Sequence, residues 1–511
     1  MATDTGSVTL AGLQEIVDRD FAREAAEGDA IDGVRPRFVV EPGTVEEVSA
    51  LLRLAHRAGL AVAPRGGGTK LGWGAKPRRL DLILSTARLN RVLEHAAGDL
   101  VARAEAGVTL EALQAAAGTA GQRLALNPPD AGATLGGIVA ANPSGSLRLR
   151  YGTVRDLLIG VTVVLADGTV AKAGGKVVKN VAGYDLCKLF TGSLGTLGVI
   201  VETIWRLHPL PAARRTVAVE LASPQAAGAA VQDLLHAPGS PLVLDALELR
   251  WEWPSPPGPL SLTAREGEQM PSFLDTLSLR TGEGETPKLS AGPIPVDPHA
   301  RLYGGGLGGG ISPGSPGGGG GGEERGPDSP GRGERERLFL SVLFEGIEPG
   351  VAAQAATAQR LLGAHGTVRI LDAGEQDAPW REARAYPWQG DDVGLKLTHL
   401  PTALPTILGS IVELAHTRGI EPHVAGHAGT GVTFVGLSGG DAGPIGELLG
   451  ELRAHVARAE GSVVVLQAPL DIKDSIDVWG PVGDALPLMR RVKERFDPEG
   501  ILNPGRFVGG I

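Results

Sequence analysis

Cysteine is almost absent from this chain: Cys187 is the sole one in 511 residues. That excludes an intrachain disulfide and any iron–sulfur or zinc site built from several cysteines. Electrons that leave through iron–sulfur centres must therefore continue on another chain. Basic residues are not in excess either, and a formal charge of −10 argues against a nucleic-acid binder, which would present a basic face. No apolar run approaches the ~18 residues of a membrane-spanning helix. The first residues, Met1-Ala2-Thr3-Asp4-Thr5, lack the positive segment and apolar core of a signal peptide. The expectation is a cytoplasmic protein, associated with the inner face of the membrane only through partner subunits. No Ser-His-Asp order, Walker loop or paired metal carboxylates occurs in convincing context, so hydrolase and kinase readings fall away.

Glycine, by contrast, is abundant and clustered. Pro64-Arg65-Gly66-Gly67-Gly68-Thr69 follows the strand-like run Leu60 to Ala63. Consecutive glycines reach left-handed dihedrals and carry no Cβ, so successive N–H groups can converge on one anion. A second block runs Gly132-Ala133-Thr134-Leu135-Gly136-Gly137 and a third Gly192-Ser193-Leu194-Gly195-Thr196-Leu197-Gly198. Each alone reads as a turn cluster. Together they suggest one extended dinucleotide held along its length.

Residues 1–35 contain a short amphipathic stretch, Leu10 to Val17, suited to a packed terminal helix. Phe38-Val39-Val40 reads as a strand stopped by Pro42; Thr44 caps a helix over Val45 to Ala58, with Glu47 completing a capping box and Gly59 ending it. The return strand Leu60 to Ala63 makes a βαβ unit that delivers the chain to the first glycine turn. Further strands are expected at Leu80 to Leu84, Val101 to Ala106 and Leu158 to Leu165, with a helix after Thr109. From Pro211 a second α+β region alternates Val217 to Leu221, a helix from Pro224 to Leu235, Leu244 to Leu249, Leu338 to Phe344, a helix over Val351 to Leu362, and Gly366 to Ile370. It is interrupted at about 254–333 by a stretch dense in Gly, Pro, Ser and charge, including six glycines from Gly317. Such a composition cannot bury enough apolar area to offset ordering entropy and reads as a flexible insertion, with a partner-binding segment as the other possibility.

These blocks resemble the flavoproteins of the vanillyl-alcohol-oxidase and p-cresol-methylhydroxylase superfamily, and within it the FAD-binding subunits of bacterial glycolate oxidases. The resemblance spans 36–211 and rests on the glycine blocks, Asn127-Pro128-Pro129, Ile138-Val139-Ala140-Ala141-Asn142, Tyr151-Gly152-Thr153-Val154-Arg155-Asp156 and the run from Gly175 to Asp185. It returns at the C-terminus in Phe496 to Phe507. It implies an α+β chain: a two-subdomain FAD-binding fold of the p-cresol-methylhydroxylase type with an α+β cap domain. The implied division is a helical segment at 1–35, an FAD-binding domain at 36–211, a cap or substrate domain at 212–475, and a segment at 476–511 that returns to the FAD domain.

By the same resemblance, Pro64, Arg65, Gly66, Gly67, Gly68 and Thr69 hold the FAD pyrophosphate. Pro129, Thr134, Leu135, Gly136, Gly137, Ala140, Ala141, Asn142 and Ser144 pass near phosphates or the isoalloxazine edge, and Gly195, Gly198 and Ile200 lie along the adenosine or ribose. Relatives that tether the flavin place histidine after the first glycines; Thr69-Lys70 stands there, which points to noncovalent FAD, with Cys187 or another histidine as the remaining tether. For catalysis the candidates are His427, Arg384 and Lys396. His427 sits in His427-Ala428-Gly429-Thr430-Gly431, where related 2-hydroxyacid dehydrogenases carry His-x-Gly-Asp-Gly-Asn-x-His; Thr430, Val432 and Phe434 replace the acid, amide and second histidine. A metal site on His427 alone is therefore not expected. Arg384, after Trp380, would pair a substrate carboxylate, and Lys396 would approach the flavin from a strand. Arg148 and Arg150 read as the charged flank of a surface turn.

The resemblance implies oxidation of a small 2-hydroxy acid or electron relay, in a complex with a larger FAD-containing subunit and an iron–sulfur subunit. It leaves open a flavin-bearing assembly subunit with little turnover, or an independent lactate or sugar-acid dehydrogenase. With Thr430 and Phe434 in place of acid and histidine, weak or no glycolate oxidation is expected of the chain alone.

Overall fold

The computed structural model describes residues 8–176, 185–236, 242–252 and 337–511. The glycine-rich insertion and most of the Gly175 to Asp185 run fall outside them. All described residues belong to one compact unit.

The first sheet has four strands, ordered Ala22–Glu24, Phe38–Val40, Leu82–Ser85, Val62–Arg65. Between its second and last strands in that order runs helix Val45–Ala58, whose first turn is capped by Thr44 Oγ1 accepting from Glu47 N at 3.1 Å. Gly59 ends it in the left-handed conformation that a Cβ would strain (φ 63°). The βαβ unit read from the sequence is real but skips a place. Phe38–Val40 and Val62–Arg65 both pair parallel to Leu82–Ser85, which slots between them. The C-terminal segment joins the same sheet: Val62 N donates to Ile501 O at 2.7 Å and Asn503 N to Val62 O at 2.9 Å.

A five-stranded antiparallel sheet follows, ordered Val92–Ala96, Val101–Glu105, Val199–Arg206, Leu158–Val164, Val170–Gly174. Helices Leu110–Gly118 and Leu135–Ala141 pack on it, each started by a threonine cap, Thr109 and Thr134.

Gln122–Arg123 pairs with His208–Pro209 in a small sheet of two strands, and the other strands form an eight-stranded sheet in the order Gly366–Ile370, Ala213–Leu221, Arg337–Gly346, Ala246–Glu252, Glu421–His427, Val432–Ser438, Val393–Thr398, Ser462–Gln467. Side chains alternate between its faces. Leu395, Val435, Val424, Leu249 and Val342 point to one face and meet helices Pro224–Leu235, Glu348–Leu362, Leu404–His416 and Ala442–Arg458 in the largest apolar core. The register puts Lys396 opposite Phe434, Phe434 opposite Ala425, and Ala425 opposite Arg250. Lys396, Phe434, His427, Arg250 and Glu248 therefore share the other face, which is polar along much of its length.

Candidate functional site

The three glycine blocks, more than 50 residues apart in the chain, line one cleft. Pro64 to Thr69, Thr134, Gly136, Gly137, Ala140, Ala141, Gly195, Gly198 and Ile200 all border it, joined by Lys70, Asn503 and Arg506. Four predicted residues do not. Leu135 is fully buried in the core beneath, Pro129 and Asn142 lie off the lining, and Ser144 belongs to a different site described below.

The turn after strand Val62–Arg65 is built for an anion. The N–H groups of Gly66, Gly67, Gly68, Thr69 and Lys70 have no acceptor among the described residues, and Gly68 is left-handed (φ 77°). Such a run of free donors is a nest for phosphate oxygens. The neighbouring cations do not compete: Arg65 bonds Asp29 at 3.0 Å and Lys70 is ion-paired with Asp130. The need for glycine has a second origin that the sequence did not reveal. A Cβ on Gly66 would overlap Thr134 Oγ1, and one on Gly67 would overlap the carbonyl oxygen of Gly132. The first and second glycine blocks thus interlock, and each fixes the other.

The third block is held in turn by buried charge. Lys493 Nζ donates to Thr196 O at 2.8 Å, Leu502 O at 2.9 Å and Asp497 Oδ2 at 2.6 Å, while Asp497 also accepts from Ile501 N and Leu502 N. Every partner in this cluster is satisfied, which is the condition for a buried ion pair to fix geometry. Arg506, 4% exposed, donates to Leu71 O and Trp73 O and so fastens the chain beyond the first block. On the cleft lining, the side-chain oxygen of Asn503 is buried without a protein partner among the described residues. Buried acceptors left open are costly unless a ligand meets them. Free N–H groups at one part of the cleft and the open side-chain oxygen of Asn503 fit a ligand with both phosphates and polar rings, as FAD has.

Among the described residues no histidine, cysteine or tyrosine lines the cleft. Cys187 is buried in the core of the five-stranded sheet, where desolvation pushes its thiol up to about 11, so it is neither near nor nucleophilic.

The predicted catalytic residues separate. Lys396 lies on the polar face of the eight-stranded sheet with no hydrogen-bond or ionic partner among the described residues; burial, and then the nearby charge of Arg148, lower its pKa to about 8. Arg148 opens the short helix Arg148–Tyr151, reached by the loop after helix Leu135–Ala141, and burial depresses it as well. It was expected to be a surface flank; instead its Nη1 donates to Ser144 Oγ at 2.8 Å and its charge reaches Lys396.

His427 is 2% exposed and fully engaged: Nδ1 is 2.8 Å from Glu248 Oε2 and Nε2 is 3.1 Å from the Ser144 carbonyl. Neither nitrogen is left to face a substrate, so this geometry does not suit the direct catalytic role expected of it. His399 is similarly occupied, between Leu400 O and Thr433 Oγ1. Arg384 is exposed in the segment after helix Ala378–Glu382 and has no ion pair among the described residues. The tryptophan that singled it out, Trp380, is buried and donates to Thr216 Oγ1 at 2.9 Å, a packing role. Glu248 and Arg148 were missed because their significance depends on strand register and loop placement. Among the described residues no group of three or more His, Cys, Asp or Glu converges as a metal-ligand set, and no helix is long and apolar enough to cross a membrane.

Residues 36–174 match the family model of the FAD binding domain, and 481–507 match the C-terminal domain of FAD linked oxidases. An FAD-linked oxidoreductase of Mycobacterium tuberculosis is 28% identical over 478 residues, covering 93% of this chain and 91% of that protein. A glycolate oxidase subunit of Bacillus subtilis is 36% identical over 248 residues, 47% of this chain and 52% of that one. A D-lactate dehydrogenase of Archaeoglobus fulgidus is 43% identical over 171 residues, 34% and 38% of the two chains. Among solved structures, p-cresol methylhydroxylase aligns over 97% of this chain and 95% of its own, with a TM-score of 0.66 at 15% identity. At that identity the likeness carries the fold alone: the chain has the fold of p-cresol methylhydroxylase, carries a matched FAD binding domain and a matched C-terminal segment of the FAD linked oxidases, and its cofactor is FAD.

Proposed function

We propose that this chain oxidises a small 2-hydroxy acid and works as the FAD-binding subunit of a glycolate-oxidase-like complex. The observation that carries the reading is the pair Lys396 and Arg148: two desolvated cations, close enough to feel each other, with no carboxylate ion-paired to either among the described residues. Unpaired buried cations are costly unless an anion completes them. The guanidinium of Arg148 is suited to take the substrate carboxylate through parallel hydrogen bonds. Lys396, with its pKa near 8, is then the group able to remove the hydroxyl proton. Bound FAD supplies the two-electron acceptor for the hydride. Relatives named for glycolate and D-lactate support the substrate class.

The partial match to the glycolate oxidase subunit and the lone Cys187 support partners: a larger FAD-containing subunit, and an iron–sulfur subunit to carry electrons away. Noncovalent attachment is supported by a cleft lining that holds no histidine, cysteine or tyrosine among the described residues. A flavin-bearing subunit with little turnover is the second reading, favoured by the full engagement of His427.

Anaerobic mixing of the purified chain with glycolate or D-lactate separates the two. The proposal expects bleaching of the flavin by one of these acids in a single turnover, sustained turnover only with the partner subunits, and release of FAD on unfolding. A flavin that neither acid reduces, with or without partners, supports the second reading.

A further inference from the structure

Glu248 and His427 stand on neighbouring strands of the polar sheet face, 8% and 2% exposed, joined at 2.8 Å. The other side of the imidazole meets the Ser144 carbonyl at 3.1 Å. A carbonyl only accepts, so Nε2 carries a proton. A second proton must then lie between Nδ1 and Glu248 Oε2, because without it two lone pairs would confront each other at hydrogen-bond distance. The pair holds that proton as a neutral acid and base or as two opposite charges; in either form its net charge is zero, which suits its burial.

The contact reaches beyond the pair. Ser144 Oγ accepts from Arg148 Nη1 at 2.8 Å, and Pro143, the residue before Ser144, lines the FAD cleft. The same loop is gripped from its far side by Asn127, whose Nδ2 donates to Ser146 Oγ at 3.0 Å and whose Oδ1 accepts from Leu147 N at 3.1 Å. Asn127 comes from the FAD-binding part of the chain and His427 from the eight-stranded sheet, so the histidine gives the loop a hydrogen bond to the face that carries Lys396, beside the apolar contact of Leu147 with Ala246 and Leu343.

We infer that Glu248 is a positioning residue which, through His427 and one shared proton, holds the Ser144–Arg148 loop against the sheet. The consequence for substrate rests on the reading of Arg148 as its carboxylate ligand. The charged or titratable groups around the pair are Arg250 on Glu248's own strand, Arg148 on the held loop, and Lys396 two strands from His427; uncharged Phe434 stands edge-on to the imidazole at 5.5 Å, and Ser341 lies opposite Glu248. Burial raises the Glu248 carboxyl and so favours retention of the shared proton. The hold therefore lasts while the pair keeps that proton and is lost as pH rises far enough to remove it.

The test uses the full chain with FAD bound, comparing wild type with Glu248→Gln and Glu248→Ala. Hydrogen exchange of the amides over 144–148, corrected for intrinsic rates, needs no substrate. Binding of oxalate, read from the flavin absorbance, reports on the carboxylate site. In Glu248→Ala, exchange over 144–148 accelerates and oxalate affinity falls about tenfold or more, the scale of one broken buried hydrogen bond. Glu248→Gln keeps both near wild type at neutral pH, because the amide N–H donates to Nδ1 while Nε2 keeps its proton. With rising pH, protection of 144–148 declines in wild type and stays flat in Glu248→Gln. If Glu248→Ala does not fold, the wild-type and Glu248→Gln pH profiles decide alone. Identical profiles, or unchanged exchange in Glu248→Ala, overturn the inference. Faster exchange in Glu248→Ala together with a wild-type flavin that neither oxalate nor a 2-hydroxy acid perturbs upholds the loop hold and removes the substrate reading instead.

Discussion

In the cleft, the groups that would meet FAD phosphates are backbone N–H groups of one short turn, Gly66 to Lys70. On the polar sheet face, the polar groups are side chains from separate segments: Arg148 from the start of a short helix, Glu248, Lys396 and His427 from three strands. The first arrangement recognises a ligand by chain shape and needs glycines in a row; the second recognises it by charge and needs strand register. They also differ in what substitutions should do. Adding atoms to the cleft breaks it, because its loops already touch, whereas removing a charge from the face should leave the scaffold and its cofactor intact.

The largest effect is therefore expected at Gly67. Gly67→Val places side-chain atoms on the Gly132 carbonyl, parting the first two glycine blocks. The purified variant should retain no FAD, as read from its visible absorbance; normal flavin content would show that the interlock is not required. A smaller and different effect is expected on the face. Arg148→Met should keep full FAD content and raise the KM for a 2-hydroxy acid by about ten- to a hundredfold, the range for losing a charge-assisted hydrogen-bonded contact. Loss of FAD in that variant would mean that the two regions are not separable as described.

The same contrast explains what could be read from the sequence. Helix Val45–Ala58 was visible because its cap, apolar stripe and terminal glycine are local signals, and the cleft because each glycine block is local. Even there, the reason for Gly67 was hidden: the sequence pointed to the pyrophosphate, while the structure adds a protein carbonyl 65 residues farther on. The insertion of Leu82–Ser85 between the strands of the βαβ unit was equally illegible, since strand order depends on packing and not on the alternation of elements. On the face, motif likeness favoured His427 and Arg384. Burial engages both nitrogens of the first and leaves the second exposed. Arg148, which looked like a turn flank, is brought beside Lys396 by a loop pinned through Asn127 and His427, a relation between residues up to 300 positions apart.

The central claim is that Lys396, unpaired and desolvated, takes the proton from a substrate hydroxyl. Its direct test is the rate of anaerobic flavin reduction by D-lactate or glycolate as a function of pH, in wild type and in Lys396→Arg, which keeps the positive charge but cannot act as a base. Because the neutral amine is the active form, the wild-type rate should rise about tenfold per pH unit up to about 8 and then level off. Lys396→Arg should still bind oxalate and FAD but reduce the flavin at least about a hundredfold more slowly, the scale of a lost general base. A wild-type rate indifferent to pH around 8, or a Lys396→Arg variant that reduces its flavin as fast as wild type, would contradict the account.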